Sequence, residues 1–285
     1  MATNQKVCLI TGSSSGFGLL SAIDMARAGF RVIATMRDTN RATSLMRAAN
    51  DAGVSGQMEV RPLDITKFGE LPGVVNEIVS AHGRIDVLVN NAGYALAGFA
   101  EDISLDELKA QLDTNFFGHV AMTKAVLPQM RKQRSGHVIM VSSIAGLVAS
   151  PVLSSYAASK HALEGWTEAV RIEMKSLGIH LVLVEPGAFE TDIWVKNAKM
   201  GEQAVQNSSL NKERSLRFAQ VVQQKLHKAD ARDVSGLIVR IAQDPNPDLR
   251  YLIGKDAVRR KWLKKLLPWK TYERLVEKFT QIAES

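Results

Sequence analysis

Cysteine is nearly absent. Cys8 is the only one in 285 residues, so no internal disulfide is open to this chain. It sits in the apolar run VCLI, where a thiol packs as a small hydrophobe, and its isolation fits a reducing compartment such as the cytoplasm. No run approaches eighteen apolar residues, so no membrane-crossing helix is expected. The opening MATNQKVCLI has neither a basic start nor a long apolar stretch, and no secretory leader is expected. His119, His137, His161 and His180 lack metal-ligand spacing, so no metal site is expected. Short repeats and low-complexity segments are also missing. What remains is an ordinary globular composition, 46% hydrophobic and 23% charged. The length suits one large α/β domain or two small ones.

Acidic residues are scarce at one end only. Of the net charge of +7, much falls in residues 255–278, where Lys255, Arg259, Arg260, Lys261, Lys264, Lys265, Lys270, Arg274 and Lys278 face only Asp256, Glu273 and Glu277. No aromatic-interleaved groove or nucleic-acid motif accompanies these cations, so a nucleic-acid partner is not expected. Val258, Trp262, Leu263, Leu266 and Leu267 recur among them at helical spacing. Pro268 breaks that helix, and Tyr272, Leu275, Val276 and Phe279 continue the apolar stripe. Such a segment either packs on the protein or a partner subunit, or lies on an anionic membrane.

Short apolar runs punctuate the chain: KVCLI, RVIATM, MEVRPL, IDVLVN, GHVIMVS, IHLVLVE and RYLIG. Between the early ones lie helix-length segments at 17–28, 39–51, 67–82, 105–133 and 156–177. Strands apolar almost throughout, alternating with helices, predict a doubly wound parallel sheet covered on both faces. Residues 1–254 then form one dinucleotide-binding domain, in which 188–228 is an insertion placed as a lid. Residues 255–285 form a basic amphipathic tail.

After the first strand comes Thr11-Gly12-Ser13-Ser14-Ser15-Gly16-Phe17-Gly18, spaced G-x3-G-x-G, and then a helix. Glycines there permit a tight turn, let backbone N–H groups approach a pyrophosphate, and let the helix pack on the strand. The second strand ends Thr35-Met36-Arg37-Asp38. An acid at this point binds both adenine-ribose hydroxyls of NAD. Met36 takes that place here, and the Arg37 guanidinium suits the 2′-phosphate of NADP(H), with Ser15 adding a hydroxyl. Asp38 leaves a ribose acid open should the register slip. Asp64, after the third strand, suits the adenine amino group. Asn90-Asn91-Ala92-Gly93 closes the fourth strand at the edge where open α/β sheets bind ligands. The fifth ends at Ser142-Ser143. Lys160 follows Tyr156 by one helical turn, so hydroxyl, phenol and ammonium can converge above that edge.

In TGSSSGFG at 11–18, NNAG at 90–93, Asn115, Ser143, YAASK at 156–160 and PGAFET at 186–191, the chain resembles the short-chain dehydrogenase/reductase family. The ATMRD after strand two and the long C-terminal third look nearest to the 17β-hydroxysteroid and retinol dehydrogenase-like branch. The resemblance implies a seven-stranded Rossmann fold and NAD(P)-dependent interconversion of an alcohol and a carbonyl. It makes Tyr156 the general acid in reduction and the base in oxidation. Lys160 and the oxidised nicotinamide would together draw the phenol below its free value of about 10, and Lys160 would bind the nicotinamide ribose. Ser143 would hydrogen-bond the substrate oxygen, and Asn115 would hold a water leading from Lys160. The resemblance places cofactor contacts at Gly12, Ser15, Gly16, Phe17, Gly18, Arg37, Asp64, Asn91, Ala92, Gly93, Tyr156, Lys160, Pro186, Gly187 and Thr191, the last three at the carboxamide. Helices 105–133 and 156–177 would pair subunits into a dimer or tetramer. Phe189, Ile193, Trp194, Val195 and Met200, with Leu96, Phe99, Val148 and Leu153, suggest a hydrophobic substrate pocket, though most of them suit the core equally. A dinucleotide-sensing protein without chemistry is the competing class.

Overall fold

A computed structural model describes residues 5–189, 198–206, 208–225 and 229–280. In chain order the strands are β1 (Val7–Thr11), β2 (Arg31–Met36), β3 (Met58–Pro62), β4 (Val87–Asn90), β5 (Ala95–Ala97), β6 (Gly136–Val141), β7 (Ile179–Pro186), β8 (Ala198–Met200) and β9 (Arg250–Ile253). The helices are α1 (Gly16–Arg27), α2 (Thr43–Asp51), α3 (Leu71–His82), α4 (Leu105–Leu112), α5 (Gly118–Gln133), α6 (Ser154–Met174), α7 (Lys212–Lys225), α8 (Arg232–Gln243), α9 (Lys255–Leu266) and α10 (Trp269–Thr280).

Seven strands form one sheet in the order β3-β2-β1-β4-β6-β7-β9, every pair parallel. Side chains along a strand point alternately to the two faces. Cys8 and Ile10 of β1 join the core beneath α1 and α8, while Val7 and Leu9 join the core beneath α3, α5 and α6. Both sets are apolar because helices cover both faces, which is why β1 reads as an uninterrupted hydrophobic run. Cys8 is fully buried, and burial pushes its thiol far up from the ordinary value. It behaves as packing material.

Parallel pairing brings the carboxyl ends of β1, β4, β6 and β7 to one rim. The strand order reverses between β1 and β4, and that switch point opens the crevice in which such sheets hold ligands.

Three departures from the periodicity have physical causes. Residues 67–70 are a turn, and α3 starts only at Leu71, where Pro72 sits in the first turn with no N–H to lose. The segment 105–133 is two helices joined by a π-helical turn, Asp113–Phe117. β5 and β8 pair as a second, two-stranded parallel sheet that ties residues 198–200 to the stretch after β4, a pairing too short to leave a pattern.

Candidate active site

The glycine loop is shaped by close approach. Gly12 (φ 71°) and Gly16 (φ 55°) occupy the left-handed region, and a Cβ on Gly12 would lie 2.7 Å from the Cα of Ala92. A Cβ on Gly18 would collide with the carbonyl of Gly12 and the amide of Asn91. Ser15 stands at the N-cap of α1 without a side-chain capping bond, and the first turn of α1 has no acid. The positive end of the helix and its N–H groups therefore face the crevice unneutralised, which suits a pyrophosphate. Phe17 turns away, packing edge-on against Phe189 at 5.8 Å.

Asn91 braces this loop. Its Nδ2 donates to the carbonyls of Thr11 (2.9 Å) and Gly12 (3.0 Å). The Thr11 hydroxyl accepts from the backbone N–H of Asn91 (2.9 Å) and of Ala92 (3.0 Å). Thr11 is thus part of the cradle, legible only as the residue before the first glycine. His119, buried on α5, bonds the Ala92 carbonyl at 2.7 Å. Burial first, and then the charge of Lys160, lower its pKa to about 3, so it is a neutral brace.

At the end of β2, Met36 is buried and Arg37 exposed. Asp38 folds back, its Oδ1 accepting the N–H of Asn40 at 3.0 Å. Asp64 Oδ1 accepts from the Thr66 N–H (3.0 Å) and hydroxyl (2.7 Å). Burial alone would raise the Asp64 pKa, but those bonds and the charges of Arg37 and Lys67 bring it below the ordinary value.

Beyond β6 the chain turns sharply. Ser143, in extended conformation, caps a short turn at Ile144–Gly146, its Oγ accepting from Ala145 N–H at 3.1 Å. Val152 then adopts φ 65°, an uncommon strain for a β-branched residue, and its carbonyl is held by Gly98 N–H at 2.8 Å. Helix α6 starts two residues later and carries Tyr156 and Lys160 on its buried face. Ser143 hydrogen-bonds Tyr156. Lys160 Nζ donates to the Val141 carbonyl at 2.8 Å and lies 5.8 Å from the Tyr156 ring centre.

Burial dominates the phenol. Burial pushes the Tyr156 pKa up to about 12, outweighing the Ser143 bond that lowers it. Lys160 directs its ammonium at the strand carbonyl, and burial brings its own pKa down to about 8 against the opposing charge of Glu164. In this geometry the Tyr156 phenol keeps its proton.

Asn115 lies in the π turn, fully buried. Its Nδ2 donates to the Tyr94 carbonyl (2.9 Å) and to Ser159 Oγ (3.2 Å), and its Oδ1 accepts the Tyr94 N–H (3.1 Å). The extra residue of the π turn aims this side chain between the β4–β5 connection and α6.

The short chain dehydrogenase family model matches residues 6–202. This chain belongs to that family. It is 38% identical over 277 residues to an uncharacterised oxidoreductase, YusZ, of Bacillus subtilis (strain 168), covering 96% of this chain and 98% of that protein. It is 34% identical over 250 residues to 3-ketodihydrosphingosine reductase of Bacteroides thetaiotaomicron, covering 87% and 88%. To retinol dehydrogenase 8 of Homo sapiens it is 40% identical over 195 residues, covering 67% and 61%, which agrees with the retinol and steroid dehydrogenase-like branch. Among solved structures, a short-chain dehydrogenase from Streptomyces avermitilis superposes with TM-score 0.81 at 32% identity, covering 100% of this chain and 99% of that one. Two others of the same fold carry nicotinamide dinucleotides. One, from Burkholderia phymatum, is in complex with NAD (TM-score 0.78, 23% identical, 93% and 94% covered). The other, a metagenomic oxidoreductase, is in complex with NADP (TM-score 0.67, 25% identical, 87% and 96% covered). The chain is therefore an enzyme of this family, and the cradle of Gly12, Gly16 and the α1 N-terminus has the shape and polarity that fit a dinucleotide.

The enzyme's C-terminal third closes the other side of the crevice. Gly187 donates its N–H to the Ile253 carbonyl at 2.8 Å, and Asp256 Oδ2 accepts the Ala188 N–H at 3.0 Å. The Asp256 carboxylate lies so close over Gly187 that a Cβ there would strike it. Asp256 was legible only as a charge in the tail. Phe189 is buried in the core under α1 and not in a substrate pocket, because Phe17 and the first core need its ring. Val148 is likewise no open pocket wall, since it packs with Ile144 against Ala257 and Tyr272 of the tail. Leu96 is buried, Leu153 packs beside Tyr156, and Arg214 of α7 lies 4.6 Å over the Phe99 ring. Met200 ends β8. Thr191, Ile193, Trp194 and Val195 lie outside the described residues.

The tail settles on the enzyme itself. Leu263, Leu267 and Val276 pack around Tyr272 and Ala257 against the turn that follows Ser143. Lys264 Nζ donates to the Leu147 carbonyl at 2.6 Å, and Arg260 donates to the Ser150 hydroxyl. Among the described residues no helix is long and apolar enough to cross a membrane, and no cluster of residues suits a metal ion.

Proposed function

We propose that the protein is an NADP(H)-dependent oxidoreductase that interconverts a ketone or aldehyde and an alcohol on a hydrophobic substrate. The observation that carries this reading is the meeting of Ser143, Tyr156 and Lys160 at the rim opposite the glycine cradle. The bound nicotinamide supplies or takes the hydride. In reduction, Tyr156 gives its proton to the carbonyl oxygen, and Ser143 hydrogen-bonds that oxygen as charge grows on it. Lys160 supplies positive charge beneath the phenol and a donor for the ribose. Asn115 holds the Tyr94 backbone and Ser159, and so the spacing between cradle and α6. Pro186 and Gly187, at the end of β7, would hold the carboxamide through their backbone. Intact acid–base groups weigh against a merely dinucleotide-sensing protein.

NADP(H) is favoured over NAD(H). Arg37 is exposed at the end of β2, and Asp38 Oδ1 accepts a bond within its own turn, which supports Arg37 over Asp38 at the ribose. Ser15 stands on the same side of the cradle. Phe99 and Leu153, with the lid above them, favour an apolar substrate, in keeping with the lipid substrates named in two relatives. A panel of ketones, aldehydes, sterols, retinoids and long-chain keto compounds, followed by nicotinamide absorbance with NADPH and NADH, tests the whole reading. NADPH-dependent turnover of apolar carbonyls is expected. Absence of turnover with every member and both cofactors rejects it.

Two association modes accompany it. Leu105, Phe117 and Ile172 are exposed apolar residues on α4, the π turn and α6, which favours a homodimer or homotetramer through those helices. The tail's outer face favours peripheral contact with an anionic membrane by a cytoplasmic enzyme. Val258, Trp262, Leu266 and Trp269 remain exposed there, beside a groove of about 220 Å³ lined by Arg259, Trp262, Leu263, Leu266 and Leu267. Exposed tryptophans among cations suit a lipid interface.

A further inference from the structure

Directly behind Lys160, on the side away from the crevice, lies a second ionisable cluster with no assigned part in the chemistry. Glu164 stands one helical turn after Lys160 on α6, and Glu185 stands on β7 just before Pro186-Gly187. Both are buried, at 4% and 0% exposure. One guanidinium serves both: Arg250 Nε of β9 is 3.2 Å from Glu164 Oε2 and 3.3 Å from Glu185 Oε1. Its Nη2 donates outward to Glu168 at 2.7 Å. Glu164 Oε1 and both oxygens of Glu185 are sealed from solvent and accept no well-aligned hydrogen bond, the Arg250 contact to Glu185 being an ion pair only. The other charges facing the pair are Lys160 on α6 and Lys261 on the tail helix α9.

Two sealed carboxylates and one shared cation do not balance. An ionised, unsatisfied carboxylate in such a place is costly, and the economical answer is to retain a proton. Burial, and then the negative charge of Glu164, hold the Glu185 carboxyl well above the ordinary carboxylate range, against the lowering effects of Arg250 and Lys261.

We propose that Glu164 and Glu185 keep one proton between them, and that this pair positions the charge of Lys160 and so sets the upper pH limit of proton transfer by Tyr156. Glu185 is the member that holds the proton, and Glu164 is the carboxyl next to the lysine. The lysine is buried and close to losing its own proton, so the anion one turn away keeps the ammonium charged. As pH rises, release of the shared proton adds negative charge behind the lysine at the point where the lysine would otherwise be lost. Glu164 and Glu185 touch neither substrate nor cofactor in this assignment; they are positioning residues. The second half of the proposal rests on Tyr156 and Lys160 being the acid–base pair of the proposed function, whereas the shared proton does not.

The two halves have separate tests. The folded Glu185 value lies above the 4.5 of an ordinary glutamate. Its protonated form therefore stabilises the fold fully below that value, and the contribution is lost as pH rises through the folded value. An amide cannot titrate. Thermal midpoints of the wild type and Glu185→Gln, followed from about pH 5 to 9, should diverge in favour of the variant as pH rises. Parallel curves overturn the shared proton, whatever the enzyme's activity. For the second half, kcat/KM for NADPH-dependent reduction is measured against pH. Loss of the anion in Glu164→Gln should move the alkaline limb down by about one pH unit or more. At low pH the rate should stay within about threefold of wild type. A profile scaled down evenly at every pH, or superimposable on wild type, overturns the positioning role. Glu164→Asp should restore part of the limb. If the wild type turns over no carbonyl at all, the proposed function fails, and the melting comparison still decides the first half.

Discussion

Around the glycine cradle, small residues and backbone do the holding: Gly12 against Ala92, Asn91 on two carbonyls, Thr11 on two N–H groups. In the C-terminal third, long side chains do it. Asp256 holds Ala188, Lys264 holds Leu147, Arg260 holds Ser150, and Arg250 holds Glu164. The first kind of contact demands a residue type at a fixed spacing, because only glycine admits the approach and only a short amide spans it. The second demands reach and charge, which many residues satisfy. The cradle is thus the intolerant part of the enzyme, and the tail is the adjustable part that nonetheless presses on the turn carrying Ser143.

The largest effect should come from the chemistry between the two regions. Tyr156→Phe keeps the ring and removes the proton, and turnover should fall by roughly 10²–10⁴ with NADPH affinity nearly unchanged. Steady-state rates and cofactor titration check it; near-wild-type turnover would remove the phenol from the mechanism. Next, Tyr272→Ala should excavate the contact between tail and catalytic turn. A buried aromatic truncation of this kind costs about 3 kcal/mol. Chemical denaturation measures it, and a loss below about 1 kcal/mol would show that the tail is dispensable, breaking the comparison. Arg37→Ala should weaken NADPH about tenfold or more, the worth of one charge-assisted bond, and leave NADH almost untouched. Equal weakening of both, in binding titrations, would hand cofactor choice to another group. Smallest of all, Trp269→Ser on the exposed outer face should shift stability by no more than about 0.5 kcal/mol. It should leave turnover of a soluble substrate intact while reducing sedimentation with anionic vesicles at low salt. Unchanged sedimentation would leave that tryptophan no part at a lipid surface.

This contrast also explains what the sequence disclosed. The seven apolar runs are the seven strands, since burial on both faces leaves little room for a polar residue. Gly12, Asn91, Ser143, Tyr156 and Lys160 were legible because spacing along the chain fixes their meeting at one rim. Val148 and Phe189 stayed open between pocket and core because hydrophobicity cannot distinguish the two, and the neighbours that decide for the core, the tail and Phe17, come from far along the chain. Asp256 and Lys264 were invisible as structural ties because their partners lie 68 and 117 residues away.

The π turn at Asp113–Phe117 can be viewed as one residue too many in an otherwise regular helix. Each residue of an α-helix turns the chain by about 100°. Deleting a single residue there would produce a straighter and locally better-bonded helix. It would also swing Asn115 off Tyr94 and Ser159, or turn the whole of α5, with Met122, Val126 and Met130, out of the core. For the gene this stretch is a length constraint. Substitutions in the exposed part of the turn can accumulate, but an in-frame loss of one codon cannot be absorbed, because everything downstream is keyed to the surplus residue.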